Sequence, residues 1–251
     1  MNISYKSLTV SLGAVALACA ATTASADTVD VKYNSAQWGS VASTIHDHNQ
    51  SPYSINTNAG AFNMAIDNPV PSPGILSGSS IIAWCVELTE FLNTSSTVTY
   101  DVSYATQAWA ADVTRLFNAF YNDVVAAGTN VMSAAMQYAI WELVTPGNNW
   151  NVSNVDGVGF HVSSTGTGVN AAKTQADAWL TDLKNDSDLG ATGKYRVVSL
   201  THEGAPGTQD LITISEVPLP GAALMFLSAL GIGGLARRKS AAAQPAEALA
   251  A

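Results

Sequence analysis

The hydrophobic period of this chain changes twice, and that limits its possible folds more than any other feature. From Asp27 to Tyr104 the pattern is short strands divided by turn residues. Segments 28–33, 60–67, 80–88 and 96–104 carry β-branched and aromatic residues in partial alternation. The Asn-Pro, Pro-Ser-Pro-Gly and Asn-Thr-Ser-Ser runs between them are turn chemistry. Ile81 to Val86 is apolar at every position, which predicts a strand buried on both faces. From Trp109 onward the spacing is helical. Trp109, Val113, Leu116, Phe117, Phe120 and Val124 predict an amphipathic helix over 106–127, ended by Gly128. A second helix is expected over 131–144, stopped by Pro146-Gly147, and a third over 168–185. Strand character returns at 195–201 and 210–215, with Gly204-Ala205-Pro206-Gly207 as a hairpin loop. Strands, then helices, then strands predict one α+β domain, with antiparallel strands flanking a three-helix segment.

That domain lies between two ends that read as addresses. Lys6, the apolar stretch Leu8 to Ala20 and the small residues Ala24-Ser25-Ala26 form a secretory signal, cleaved after Ala26. The apolar run is too short for a spanning helix. A lipoprotein signal ending at Cys19 is the alternative. At the other end, Val217-Pro218-Leu219-Pro220 precedes an uncharged apolar run, 221–236, and the basic cluster Arg237-Arg238-Lys239. Sixteen helical residues reach about 24 Å, a thin membrane span, with the basic cluster holding its C-terminal end in the cytoplasm. The expected parts are a signal peptide (1–26), an exported domain (27–215), a sorting segment with a transmembrane helix (216–239) and a disordered tail (240–251).

The order double-proline break, apolar run, basic cluster resembles the PEP-CTERM sorting signal of Gram-negative bacteria, in its VPLPA form. The resemblance implies recognition by an exosortase-type sorting enzyme, membrane attachment through 221–236, and delivery to the cell surface or extracellular space.

Residues 27–215 hold six basic and seventeen acidic residues, a formal charge of −11. Nucleic acid is therefore not an expected partner. No nucleophile elbow, zincin helix or phosphate loop is present, so the chain does not read as an enzyme and calls for no cofactor. His46-Asp47-His48, in a predicted loop, lacks a third metal ligand. Asp186-Ser187-Asp188-Leu189-Gly190 reads as the end of the third helix rather than a calcium loop. Glu87, Glu90 and Glu142 read as exposed acids; paired for hydrolysis, they would make a secreted hydrolase.

The chemistry-bearing candidates are one cysteine and one glutamine. Without the signal, Cys85 is the single cysteine, which excludes an intrachain disulfide and a cysteine-cluster zinc site. On a helical wheel Gln137 falls inside the arc that should face the core, with Ala135 and Glu142 opposite. A buried carboxamide left unmet costs about 1–3 kcal/mol, so something must satisfy or consume it.

Trp84-Cys85 and Gln137-Tyr138-Ala139-Ile140-Trp141 resemble the cysteine and glutamine segments of the thioester domains of bacterial surface adhesins. That resemblance implies an internal thioester between Cys85 and Gln137, shielded from water by Trp84 and Trp141, that captures surface amines. The function expected is adhesion or extracellular-matrix work, with matrix polysaccharide a further candidate partner. The residues leave a second reading open: Cys85 is an inert core thiol, Gln137 bonds backbone, and the protein is a passive envelope or matrix component.

Overall fold

The computed structural model describes residues 27–50, 54–68, 75–155, 157–202 and 208–217. The elements run β1 (Asp27–Ala36), β2 (Val41–Asp47), β3 (Ser54–Ala59), β4 (Phe62–Asn68), β5 (Ser80–Cys85), β6 (Val98–Tyr104), α1 (Ala110–Ala127), α2 (Asn130–Val144), β7 (Phe160–Val162), α3 (Thr167–Asn185), β8 (Tyr195–Thr201) and β9 (Leu211–Glu216). Strands and helices mix as the sequence predicts, and all three helices fall within a few residues of their expected bounds.

The strands do more than flank the helices. β1, β4, β5, β9, β8 and β6 close into a barrel in that order, every neighbouring pair antiparallel. The strands that follow the helices fill the gap between β5 and β6, so the chain's two strand regions share one sheet. Closure leaves no bare edge. Register shifts in β1 at Asp30/Val31 and Tyr33/Ser35 add the local bend that a small barrel needs. Val29, Val31, Met64, Ala83, Tyr100, Val197, Leu200 and Ile212 are among its buried residues.

A second sheet, in the order β3-β2-β7, is absent from the sequence reading. β2 alternates, with Val41, Ser43, Ile45 and Asp47 buried, but two of those four are polar, which hides the period. His46 and Asp47 thus lie in a strand rather than a loop, and His46 pairs with His161 of β7.

α1 and α3 bury the predicted faces. Gly128 ends α1 in the left-handed region, φ 57°, its N–H bonded to Val124 O. α2 departs from expectation. Every residue from Ser133 to Leu143 is buried, including Ala135 and Glu142, which the wheel placed on the solvent side. The helix packs against α1, α3, β5 and the second sheet, so it has no solvent side. Glu142 is held by the backbone: its Oε1 accepts from the N–H groups of Asn149, Trp150 and Asn151 at 2.7, 2.7 and 3.3 Å. It cannot serve as an exposed hydrolytic acid.

Among the described residues no helix is long and apolar enough to cross a membrane. The signal with Ala24 and Ala26, and the sorting residues Pro218, Leu219, Pro220, Arg237, Arg238 and Lys239 with the run 221–236, lie outside the described residues.

Candidate functional site around Cys85

β5 ends at Cys85. On one side it pairs with β9, Trp84 opposite Ile212 and Cys85 opposite Leu211. On the other side β4 runs out one step too early, at the pair Phe62–Ala83. Cys85 therefore has a backbone donor and acceptor facing no strand, which in a buried place must be met. Gln137 of α2 meets both. Its Oε1 accepts from Cys85 N at 3.1 Å and its Nε2 donates to Cys85 O at 2.9 Å. The side-chain amide stands where a neighbouring strand's peptide would be.

α2 reaches this position through a face spaced by four. One turn before Gln137, Ser133 Oγ accepts from Ala61 N at 2.8 Å. Gly60 permits that approach: its φ is 155°, and a Cβ there would sit 2.9 Å from Gly39 O and 3.2 Å from Ser133 Oγ. One turn after Gln137, Trp141 lines the same end of the barrel.

The sulfur has a different partner. Cys85 Sγ donates to Oε1 of Gln209 at 2.6 Å, the short end of the range for O–H···O bonds although sulfur is the larger atom. A carbonyl bond is about 1.2 Å, so the Gln209 carboxamide carbon lies within about 3.8 Å of the sulfur. Gln209 is fixed at three further points. Its Nε2 donates to Glu87 O at 2.6 Å, its main-chain oxygen accepts from Tyr100 OH at 3.1 Å, and its N–H reaches Phe91 O at 3.4 Å. The carboxamide presented to the thiol is thus that of Gln209, with Gln137 engaged through the main chain of Cys85. Nothing local in Thr208-Gln209-Asp210 marks this residue. Only the pairing of β5 with β9 sets it beside a cysteine far away in sequence.

No family model matches the sequence, and no curated protein matches it. Among solved structures, the chain is similar to the N-terminal domain of the Streptococcus pyogenes pilus tip adhesin Cpa. The identity is 14% and the TM-score 0.40, over 74% of this chain and 98% of that one.

Cys85 and Gln209 open onto a cavity of about 270 Å³ that Glu87, Glu90, Phe91 and Trp141 also line. Trp141 is 2% exposed and forms part of its wall. Trp84 does not line it. Strand alternation turns its ring to the other face, against Phe117 and Tyr121 of α1, with centroids 5.1 and 6.0 Å away.

Burial pushes the Cys85 thiol well above its ordinary value, and the Glu87 carboxylate adds to the shift. Burial also raises Glu87; the Asp210 N–H bonded to its Oε2 at 3.0 Å opposes this, while the charges of Asp210 and Glu90 reinforce it. Asp210 is raised by burial and by Glu90, against the His202 N–H it accepts at 2.8 Å. A sulfur held neutral is a poor repeating nucleophile.

The other sequence candidates take structural places. Asp186 Oδ1 accepts from the N–H groups of Asp188 and Leu189, closing the turn after α3. The rings of His46 and His161 stack at 4.5 Å, and those of His48 and His161 at 5.3 Å. No group of three or more metal-ligating side chains that could hold a metal ion occurs among the described residues.

Proposed function

We propose that this is an exported surface-adhesion protein whose one chemical act is covalent capture through an internal thioester, formed between Cys85 and Gln209. The 2.6 Å contact between Cys85 Sγ and Gln209 Oε1 carries the reading. In the forming step the sulfur adds to the carboxamide carbon, the C–N bond breaks, and ammonia leaves with the thiol's proton. In the capture step an amine on the target attacks the same carbon, the C–S bond breaks, and an amide forms while the thiol is restored. Each molecule reacts once, so the protein is not an enzyme.

Holding both partners at hydrogen-bond distance removes most of the entropic barrier to the first step. β9 and Gln137 fix the main chain of Cys85; Tyr100, Phe91 and Glu87 fix Gln209. Trp141, itself buried, covers the acyl carbon's cavity on one side and limits the approach of water there. The signal peptide, the exosortase-type sorting segment and the membrane span of 221–236 supply the location, with the domain outside the cytoplasmic membrane.

Intact mass tests the chemistry. Loss of ammonia should lower the mass of the purified protein by about 17 Da, and methylamine should then add about 31 Da, located by peptide mapping at residue 209. Gln209→Ala should abolish both changes. A mass equal to the sequence value before and after methylamine would leave a passive envelope component with an inert thiol.

A further inference from the structure

A buried thioester creates a proton problem that the cavity must solve. The incoming amine carries a positive charge once it has bonded to carbon, and a proton must leave its nitrogen. The departing sulfur has the opposite need, because burial makes a bare thiolate costly there. A group fixed beside the reacting atoms moves a proton without the ordering of solvent that a water relay needs. Among the described residues lining the cavity only Cys85, Glu87 and Glu90 have ionisable side chains. Of the two carboxylates, Glu87 is built into the reacting pair. Its main-chain oxygen holds Gln209 Nε2 at 2.6 Å, and its carboxylate Oε2 is anchored on Asp210 N, the residue after Gln209, at 3.0 Å. It also stands two residues beyond Cys85.

We propose that Glu87 is a catalytic residue of the capture step, moving a proton from the attacking amine nitrogen to the Cys85 sulfur. This rests on the Cys85–Gln209 reading. As a neutral amine adds to the acyl carbon, the Glu87 carboxylate takes an N–H proton. The resulting acid delivers that proton to Sγ as the C–S bond breaks. A C–N and an S–H bond form, a C–S and an N–H bond break, and Glu87 ends as it began.

The groups around Glu87 favour the role. Burial raises the Glu87 carboxyl from its ordinary value, and the negative charges of Asp210 and Glu90 beside it add to the shift. A stronger carboxylate base is a better proton carrier near neutral pH. Asp210 is tied to His202 N–H and is absent from the cavity lining.

The experiment follows methylamine capture by intact mass across pH, with each rate expressed per concentration of free amine. In the wild-type protein the rate constant should fall on the acid side as Glu87 takes up a proton. E87Q should still show the loss of ammonia, but capture about 100-fold more slowly with no acid-side fall. E87D should regain part of the rate and the pH step. E90Q should keep the step and move it to lower pH, since a like charge beside Glu87 is gone. Wild-type rate and profile in E87Q would overturn the role of Glu87 while leaving the thioester standing; so would failure of E87Q to lose ammonia, which would place Glu87 in bond formation. Absence of the mass loss in the wild-type protein would overturn the thioester itself. If E87Q does not fold, the wild-type profile and its displacement in E90Q decide, and a profile flat in both refutes the proposal.

Discussion

At the scale of single residues, the decisive arrangement is the division of labour between two glutamines. Gln137 is a structural amide that completes the hydrogen bonds of Cys85 where β4 has ended; Gln209 faces the sulfur. Their substitutions should therefore differ. Gln137→Leu keeps the volume and strands two buried backbone groups, so stability should fall by about 2–3 kcal/mol in urea unfolding. Any thioester that still forms should remain at residue 209. Gln209→Leu should instead abolish the mass change, with a smaller loss of stability. The sequence exposed half of this: the helical wheel showed that Gln137 enters the core and must find partners. It could not show that those partners belong to the main chain of Cys85, because no pattern records where a neighbouring strand stops.

At the scale of elements, the helical layer is tied together by Arg115. Its Nε donates to Leu189 O at 3.1 Å, and its Nη2 to Leu183 O and Asp186 O at 2.7 and 2.6 Å; Nη1 pairs with Asp112 at 3.1 Å. A cation thus closes the C-terminus of α3, where carbonyl groups and the helix dipole are otherwise unmet. The turn that follows lies directly on α1. A Cβ on Gly190 would sit 2.2 Å from Arg115 O. Arg115→Met should lower stability by about 2–3 kcal/mol, and hydrogen exchange should rise first in the last turn of α3. Arg115→Lys should recover little, since one ammonium cannot reproduce the fork. Helical spacing placed α1 and α3 within a few residues, because each has one buried and one wet face. It placed α2 as well, but the solvent side assigned to Ala135 and Glu142 does not exist because other elements enclose that helix; β2 and β3 were missed, since polar residues mask the strand period.

Over the whole molecule, the acidic charge and the carboxylates near the cavity link the site to stability. Glu87 and Asp210 have folded-state values raised above those of the unfolded chain, so the folded state binds their protons more tightly. The stabilisation they give is present at low pH and is lost as pH rises from the ordinary carboxylate range through the raised one. The gain in urea midpoint of E87Q over wild type should therefore grow across that interval and level off above it. A constant difference would mean that Glu87 titrates alike in both states. What the sequence determined by itself was the mixture and order of elements and the net acidic charge. These depend on composition and local period, which a linear reading retains. Tertiary structure alone decided barrel closure, the enclosure of α2 and the choice of Gln209 as the sulfur's partner. Each depends on which strands pair across the helical segment, and that is set by packing between residues far apart in the chain.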